Sequence, residues 1–169
     1  MAAVDDILRS YRAPGAVLRA HFEQPRAEPR LFTFLFAALL VIFVGQWPRL
    51  ARTAFEAPDQ PLSALMLGTA LALAATAPLF YGLAALGTLV TRAFGGRGDY
   101  YGGRLAQFWA LLAASPLMLL QGLVQGFIGA GPQLMAVSLG VFGAYMAFWI
   151  VGLRVTQFSA PPATAGEAR

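Results

Sequence analysis

Four long stretches of this chain contain no Asp, Glu, Lys, Arg or His: Leu31 to Trp47, Leu62 to Thr91, Leu105 to Gly131, and Pro132 to Leu153. A helix crossing the hydrocarbon core of a bilayer needs about 20 apolar residues, within a range of roughly 17 to 25. The first run is at the short end of that range, the fourth is ordinary, and the second is long enough to raise the question of two spans. Composition points the same way. Apolar residues make up 58% of the 169-residue chain and charged residues 12%, whereas soluble domains carry about 25% charged residues. With so few charges to cover a surface, most of the chain must be solvated by lipid. The expectation is an all-α membrane protein, a bundle of about four transmembrane helices preceded by an amphipathic interfacial helix. The expected organisation is a surface segment over 1–30, the bundle over 31–154, and a flexible tail over 155–169.

The arginines decide how many times the chain crosses. Four crossings put Arg9, Arg12, Arg19, Arg26, Arg30, Arg92, Arg97, Arg104, Arg154 and Arg169 on one side and leave Arg49 and Arg52 on the other. Splitting the second run destroys that asymmetry. Cytoplasmic segments carry the excess of basic residues, so four spans with both termini in the cytoplasm of a bacterial inner membrane are expected. The long second helix must then tilt or kink. No cleavable signal precedes the first span. Trp47, Trp109 and Trp149 fall near span ends, where amphipathic rings favour the membrane interface.

Within the spans, Pro78 and Pro116 are candidate kinks, each freeing the carbonyl four residues earlier, at Ala74 and Leu112. Small residues recur at helical spacing, so that Gly68 and Ala72, Gly122 and Gly126, and Gly140 and Ala144 are candidate contacts for helix packing or for a partner protein. Gln121 and Gln125 share a helix face and read as interhelical hydrogen-bonding groups or, alternatively, as a polar path. Ahead of the spans, Val4, Leu8, Tyr11, Gly15, Leu18 and Phe22 form an apolar stripe beside Arg9, Arg12 and Arg19. Leu8, Arg9, Arg12, Leu18, Arg19 and Phe22 are therefore candidate membrane-surface contacts, and His21 reads as an interfacial bystander. The loop Gly95 to Arg104 matches no dinucleotide fingerprint and reads as a flexible turn with Tyr100 and Tyr101 at the membrane surface.

Chemistry-bearing residues are sparse. Cysteine is absent and His21 is the only histidine, which removes thiolate nucleophiles and Cys/His metal sites. No span carries an ionisable acid or base of the kind that proton-coupled transport uses. Neither a paired-carboxylate nor a Ser/His constellation can be assembled. No enzyme activity, cofactor or nucleic-acid partner is expected.

The punctuation of the apolar sequence carries a resemblance. A long apolar helix is followed by Phe94-Gly95-Gly96-Arg97-Gly98 and then by a helix reaching Ala114-Ser115-Pro116-Leu117. Together with Asp5-Asp6-Ile7-Leu8, Arg12-Ala13-Pro14 and the segment Gln46 to Arg52, this resembles the bacterial branch of the Ypt-interacting (Yip) family over roughly Val4 to Leu153. The resemblance implies a multi-spanning membrane protein without catalysis. Eukaryotic relatives associate with small GTPases and carry an Asp-Leu-Tyr-Gly-Pro type motif before the spans, which is missing here, and their usual five spans exceed four. GTPase binding is accordingly not carried over.

The leading expectation is an accessory, assembly or scaffolding component that associates with other integral membrane proteins or lipids. The alternative is a small transporter or channel for a neutral or lipidic solute. The arginine asymmetry yields a direct test, because the chain lacks cysteine. A Thr164→Cys variant in intact cells should resist a membrane-impermeant thiol reagent, while Pro58→Cys should react; labelling at position 164 would break the four-span topology.

Overall fold

The computed structural model describes residues Ala2 to Phe158, and the fold is helical throughout, with no strand among the described residues. Two short helices, α1 (Ala2–Ser10) and α2 (Pro14–Phe22), precede α3 (Glu28–Glu56). The second apolar run forms α4 (Leu62–Ala75) and α5 (Ala77–Ala93), and α6 (Tyr100–Phe127) and α7 (Pro132–Phe158) complete the bundle. Four helices, counting α4 and α5 as one broken rod, are long and apolar enough to cross a membrane. Helices of 27 to 32 residues run to more than 40 Å at 1.5 Å per residue, so their ends project beyond a hydrocarbon core about 30 Å thick.

Helix α3 does not stop at Trp47. It continues through Pro48, Arg49 and Arg52 to Glu56, with Arg49 bonded to Gln46 and Arg52 to Glu56 along the helix surface. The seventeen-residue apolar run is thus one part of a 29-residue helix. At the other end of the chain, Val155, Thr156 and Gln157 are buried residues of α7, so the expected tail is helical to Phe158. The remainder of that tail, 159–169, lies outside the described residues.

The two prolines act differently. Pro78 opens α5 and separates it from α4. Thr76 bridges the break: its Oγ1 donates to the Leu73 carbonyl at 2.6 Å, and its amide donates to the same turn. Pro116 stays inside an unbroken α6. The carbonyl it deprives of a partner, that of Leu112, accepts from the Ser115 hydroxyl at 2.8 Å. In lipid, where no water can fill in, such side-chain substitution is what makes a proline tolerable.

Helix α6 is the centre of the bundle, buried almost continuously from Tyr101 to Ser115. The core gathers at its N-terminal half, where Phe108, Trp109 and Leu112 meet Leu31, Phe34 and Leu35 of α3, Val155 of α7, and Val17, Leu18 and Phe22 of α2. Farther along, α3 crosses α6 at backbone contact. A Cβ on Gly122 would overlap the Gly45 carbonyl oxygen, and one on Gly126 would overlap Pro48. Lipid supplies no hydrophobic drive between helices, so packing depends on how closely backbones approach, and glycine at these positions sets that distance. Gly68 and Gly140 have nothing within 4 Å of a Cβ position. We expect Gly122→Ala to lower unfolding stability in detergent by about 1–3 kcal/mol, the usual cost of overpacking. Gly68→Ala and Gly140→Ala should stay within about 0.5 kcal/mol of wild type, as read by denaturant unfolding followed by circular dichroism.

Candidate functional site

The expected membrane-surface stripe divides in two. Leu8, Arg9, Arg12 and Arg19 are exposed, as expected, but Leu18 is 2% and Phe22 7% exposed. These two residues are not membrane-surface contacts. They pack into the bundle core because α2 lies against α7, with Gly15 facing Val151 and Val155 and Leu18 reaching Gly152. An amphipathic stripe buries its apolar side against whatever apolar surface is nearest, and here that surface is protein.

Polar contacts fix the hairpin of α1 and α2. Tyr11 donates its hydroxyl hydrogen to the Ala113 carbonyl at 2.8 Å, one turn before Pro116. Trp109 Nε1 donates to Ser10 Oγ at 3.1 Å, and Ser10 Oγ in turn donates to the Asp6 carbonyl. Trp109 is therefore a core residue rather than an interfacial anchor. Its indole also lies 4.3 Å, centroid to centroid, from the His21 ring, which meets Phe34 edge-on. His21 is consequently buried instead of interfacial. Its Nε2 is 3.3 Å from Asp6 Oδ2 without hydrogen-bond alignment, and neither ring nitrogen has a hydrogen-bond partner among the described residues. Burial, reinforced by Arg30, holds the imidazole below the ordinary histidine range against the opposing pull of Asp6.

The glycine loop is a clamp rather than a flexible turn. Gly95 adopts φ +86° and closes α5 with a pair of bonds, from the Gly95 amide to Arg92 and from the Gly96 amide to Thr91; only glycine takes that conformation at little cost. Arg97 and Gly98 then donate their amides to the Gln157 carbonyl at 2.9 and 3.1 Å. Gln157 Nε2 returns a bond to the Asp99 carbonyl, and the Asp99 side chain caps α6 at Gly102. A Cβ on Gly98 would come within 2.5 Å of the Thr156 carbonyl oxygen, and one on Gly103 would overlap the Thr88 hydroxyl. Tyr101 is buried, accepting from the Ala27 amide and from Arg30, while Tyr100 stays exposed beneath Arg92. Arg26 pairs with Asp99 at 2.6 Å and Arg104 with Glu28, tying the linker ahead of α3 to the start of α6.

The small-residue candidates also separate. Gly122 and Gly126 form the internal α3–α6 crossing, Ala144 is half-buried, and Gly68, Ala72 and Gly140 face outward. Gln121 Nε2 donates to Ser138 Oγ at 2.8 Å, joining α6 to α7, which is the interhelical role. The buried amide that the sequence reading overlooked is Gln107, wholly enclosed, with Nε2 2.5 Å from the Tyr145 hydroxyl and Oε1 without a donor. A lone Gln between Ala106 and Phe108 could have been found as the one amide in the most apolar half of its span.

Two apolar cavities flank the break in the second span. One, of about 490 Å³, lies between α3 and α4, and the other, of about 370 Å³, reaches the bundle centre at Thr76, Phe80, Met118 and Tyr145. No charged side chain lines either. Among the described residues no group of His, Cys, Asp and Glu is placed to hold a metal. No family model matches the chain, and neither curated proteins nor solved structures match it.

The buried imidazole makes docking of the hairpin pH-dependent, and its sign follows from the lowered value. A histidine whose folded value lies below the unfolded value of about 6.5 contributes full stability above that value. The contribution declines as pH falls toward the folded value, because the undocked state takes up the proton first. The thermal midpoint in detergent should therefore fall between about pH 7.5 and 5.5 by more in the wild type than in His21→Phe. Equal falls in the two proteins would show that His21 contributes nothing.

Proposed function

We propose that this integral membrane protein is a non-catalytic accessory or assembly component, with the outward faces of α4 and the first half of α7 as its surface for another integral membrane protein. The observation that carries the reading is the uneven burial of the spans. Helix α4 has no buried residue, and in α7 only Val141 is buried before Gly152. Gly68 and Ala72 on one helix and Gly140 on the other leave room for a close backbone approach. Small outward residues let a second helix approach until backbone dispersion and weak Cα–H contacts become effective. The loops at that end, 57–61 and 128–131, are short, so contact within the membrane is the means this end offers.

The resemblance to the Yip family supports the same non-catalytic role. The arginine distribution supports a bacterial inner-membrane location with both termini cytoplasmic, which would place the dense end of the bundle inside and the open end outside. Membrane lipids are the other expected partners. The second reading, a carrier or channel for a neutral or lipidic solute, draws on the cavities beside the Thr76–Pro78 break. Gln121 gives it less support, since its amide is already engaged with Ser138.

Gly68→Leu and Gly140→Leu add bulk on open faces and should leave insertion and folding intact while reducing co-purification with a partner several-fold. Gly126→Leu cannot serve in this test, since it would strike Pro48 inside the chain. Native mass spectrometry of gently extracted membranes is the measurement. Finding only monomers and lipid, with both leucine variants indistinguishable from wild type, would defeat the accessory reading.

A further inference from the structure

Two levels along α6 mark where charge begins. At one end Arg104 pairs with Glu28, and Arg154 of α7 stands level with it, since Gly152 packs on Ala106. At the other end Gly126 abuts Pro48 and Arg49 of α3. Between Arg104 and Gly126 α6 rises about 33 Å at 1.5 Å per residue, close to the roughly 30 Å of a hydrocarbon core. The hairpin of α1 and α2 docks between those levels. Ala113, whose carbonyl takes the Tyr11 hydroxyl, lies nine residues past Arg104, about 14 Å inward. Even with its side chain fully extended toward that carbonyl, Tyr11 keeps its backbone on the inward side of the Arg104 level. Phe148, six residues before Arg154, meets the Tyr11 ring edge-on at 5.2 Å, which places the hairpin at a similar depth along α7.

The same turn carries two arginines. The amides of Arg12 and Ala13 both donate to the Arg9 carbonyl, at 3.0 and 2.8 Å, so Arg9, Tyr11 and Arg12 share one helical turn. The Arg9 side chain is 72% exposed and only approaches Asp6, at 3.8 Å. Arg12 is exposed and has no carboxylate partner among the described residues. Val4 and Leu8, both exposed, precede Arg12 at four-residue spacing and complete one stripe with it. A bare guanidinium at membrane depth is costly, and a long side chain relieves that cost by reaching toward the headgroups. Both stems begin inside the leaflet beside Leu8, so their heads meet the phosphate of a lipid standing over the hairpin. Nearby carboxylates do not compensate. This end holds nine arginines against five acidic residues, of which Asp6, Glu28 and Asp99 are already engaged.

We propose that this turn is a binding site for an anionic phospholipid, with Arg9 and Arg12 on the headgroup phosphate and Val4 and Leu8 against an acyl chain. Guanidinium groups present paired N–H donors that match phosphate oxygens. A headgroup of net negative charge, of the phosphatidylglycerol class, is favoured over a zwitterionic one, because no ammonium then competes for the phosphate or repels the arginines. Ser10 and Tyr11, between the two arginines, make the contacts with Trp109 and Ala113. A lipid gripping Arg9 and Arg12 therefore also holds the hairpin in its groove. The site requires only that the four long helices span a bilayer. It is independent of the association surface on α4 and α7, so either can fail without the other.

Full-length protein in a neutral detergent would be titrated with dioleoylphosphatidylglycerol and, separately, with dioleoylphosphatidylcholine, bound lipid being counted by native mass spectrometry. We expect one phosphatidylglycerol to be held several-fold more tightly than phosphatidylcholine. Its affinity should fall about tenfold or more in Arg9→Gln/Arg12→Gln, since hydrogen bonds to charged groups are the strong ones. The matched control Arg19→Gln/Arg97→Gln removes the same charge from exposed arginines of the same end and should keep that lipid. Phosphatidylglycerol should raise the thermal midpoint of the wild type but not of the Arg9/Arg12 variant, with helicity equal in the two proteins. The absence of cysteine allows a depth reading. A spin label at Leu8→Cys in nanodiscs should be relaxed more by oxygen, which concentrates in lipid, than by a water-soluble nickel chelate. Equal loss of the lipid in both double variants, equal affinity for the two lipids, displacement by inorganic phosphate, or a label relaxed mainly by the chelate would each overturn the assignment.

Discussion

Close approach between α6 and its neighbours is the condition on which the rest of this protein depends. In lipid the apolar side chains of two helices gain nothing by leaving the solvent, so association rests on dispersion between surfaces that fit. Gly122 and Gly126 admit the backbone of α3, Gly103 admits Thr88 of α5, and Gly152 of α7 admits Ala106. Each contact lacks a side chain on one partner, and together they hold three spans against the central one. The loop clamp and the N-terminal hairpin require that arrangement, since Gln157 and Ala113 can accept their bonds only when α7 and α6 are already in place.

The second constraint is polar satisfaction, and it explains which irregularities persist. Ser115 answers for Pro116, Thr76 for the break before Pro78, and glycine at positive φ for the end of α5. Tyr11 adds a donor from outside the spans at the same level as Pro116. Against that background several buried polar atoms of the spans stay without a partner among the described residues, Gln107 Oε1, Trp149 Nε1 and Gln157 Oε1 among them.

The number of long apolar helices and the break before Pro78 were legible in the sequence because charge exclusion and proline chemistry are local properties, whereas Pro116 leaves α6 unbroken. The destinations of helix faces were not legible. The stripe containing Leu18 and Phe22 has the same period whether it meets lipid or protein, and only the presence of α6 and α7 decided between them. Gly126 and Gly140 occupy equivalent-looking small-residue stripes, yet one abuts Pro48 and the other abuts nothing. Gly98 and Gly102 resemble flexible-loop glycines in sequence, and their reason for being glycine is the end of α7, more than fifty residues away. Trp47 is half exposed, whereas Trp109 is enclosed by His21 and Phe34.

The distribution of packing also divides the molecule mechanically. At the end holding the chain's N-terminus, α5, α6 and α7 are fixed by glycine contacts, the loop clamp, and the ion pairs Arg26–Asp99 and Arg104–Glu28. At the opposite end α4 rests on α3 alone, with no buried residue of its own. Local stability follows buried contacts, so α4 is the element that moves at least cost. The break at Thr76 supplies its pivot, because α5 beyond Pro78 is held by Ala84, Gly87 and Thr88 against α6 and α7. A swing of α4 about that point changes the width of the space between α3 and α4 without disturbing the core. The outward face of α4 that remains free for another helix is therefore the face such a helix would hold still.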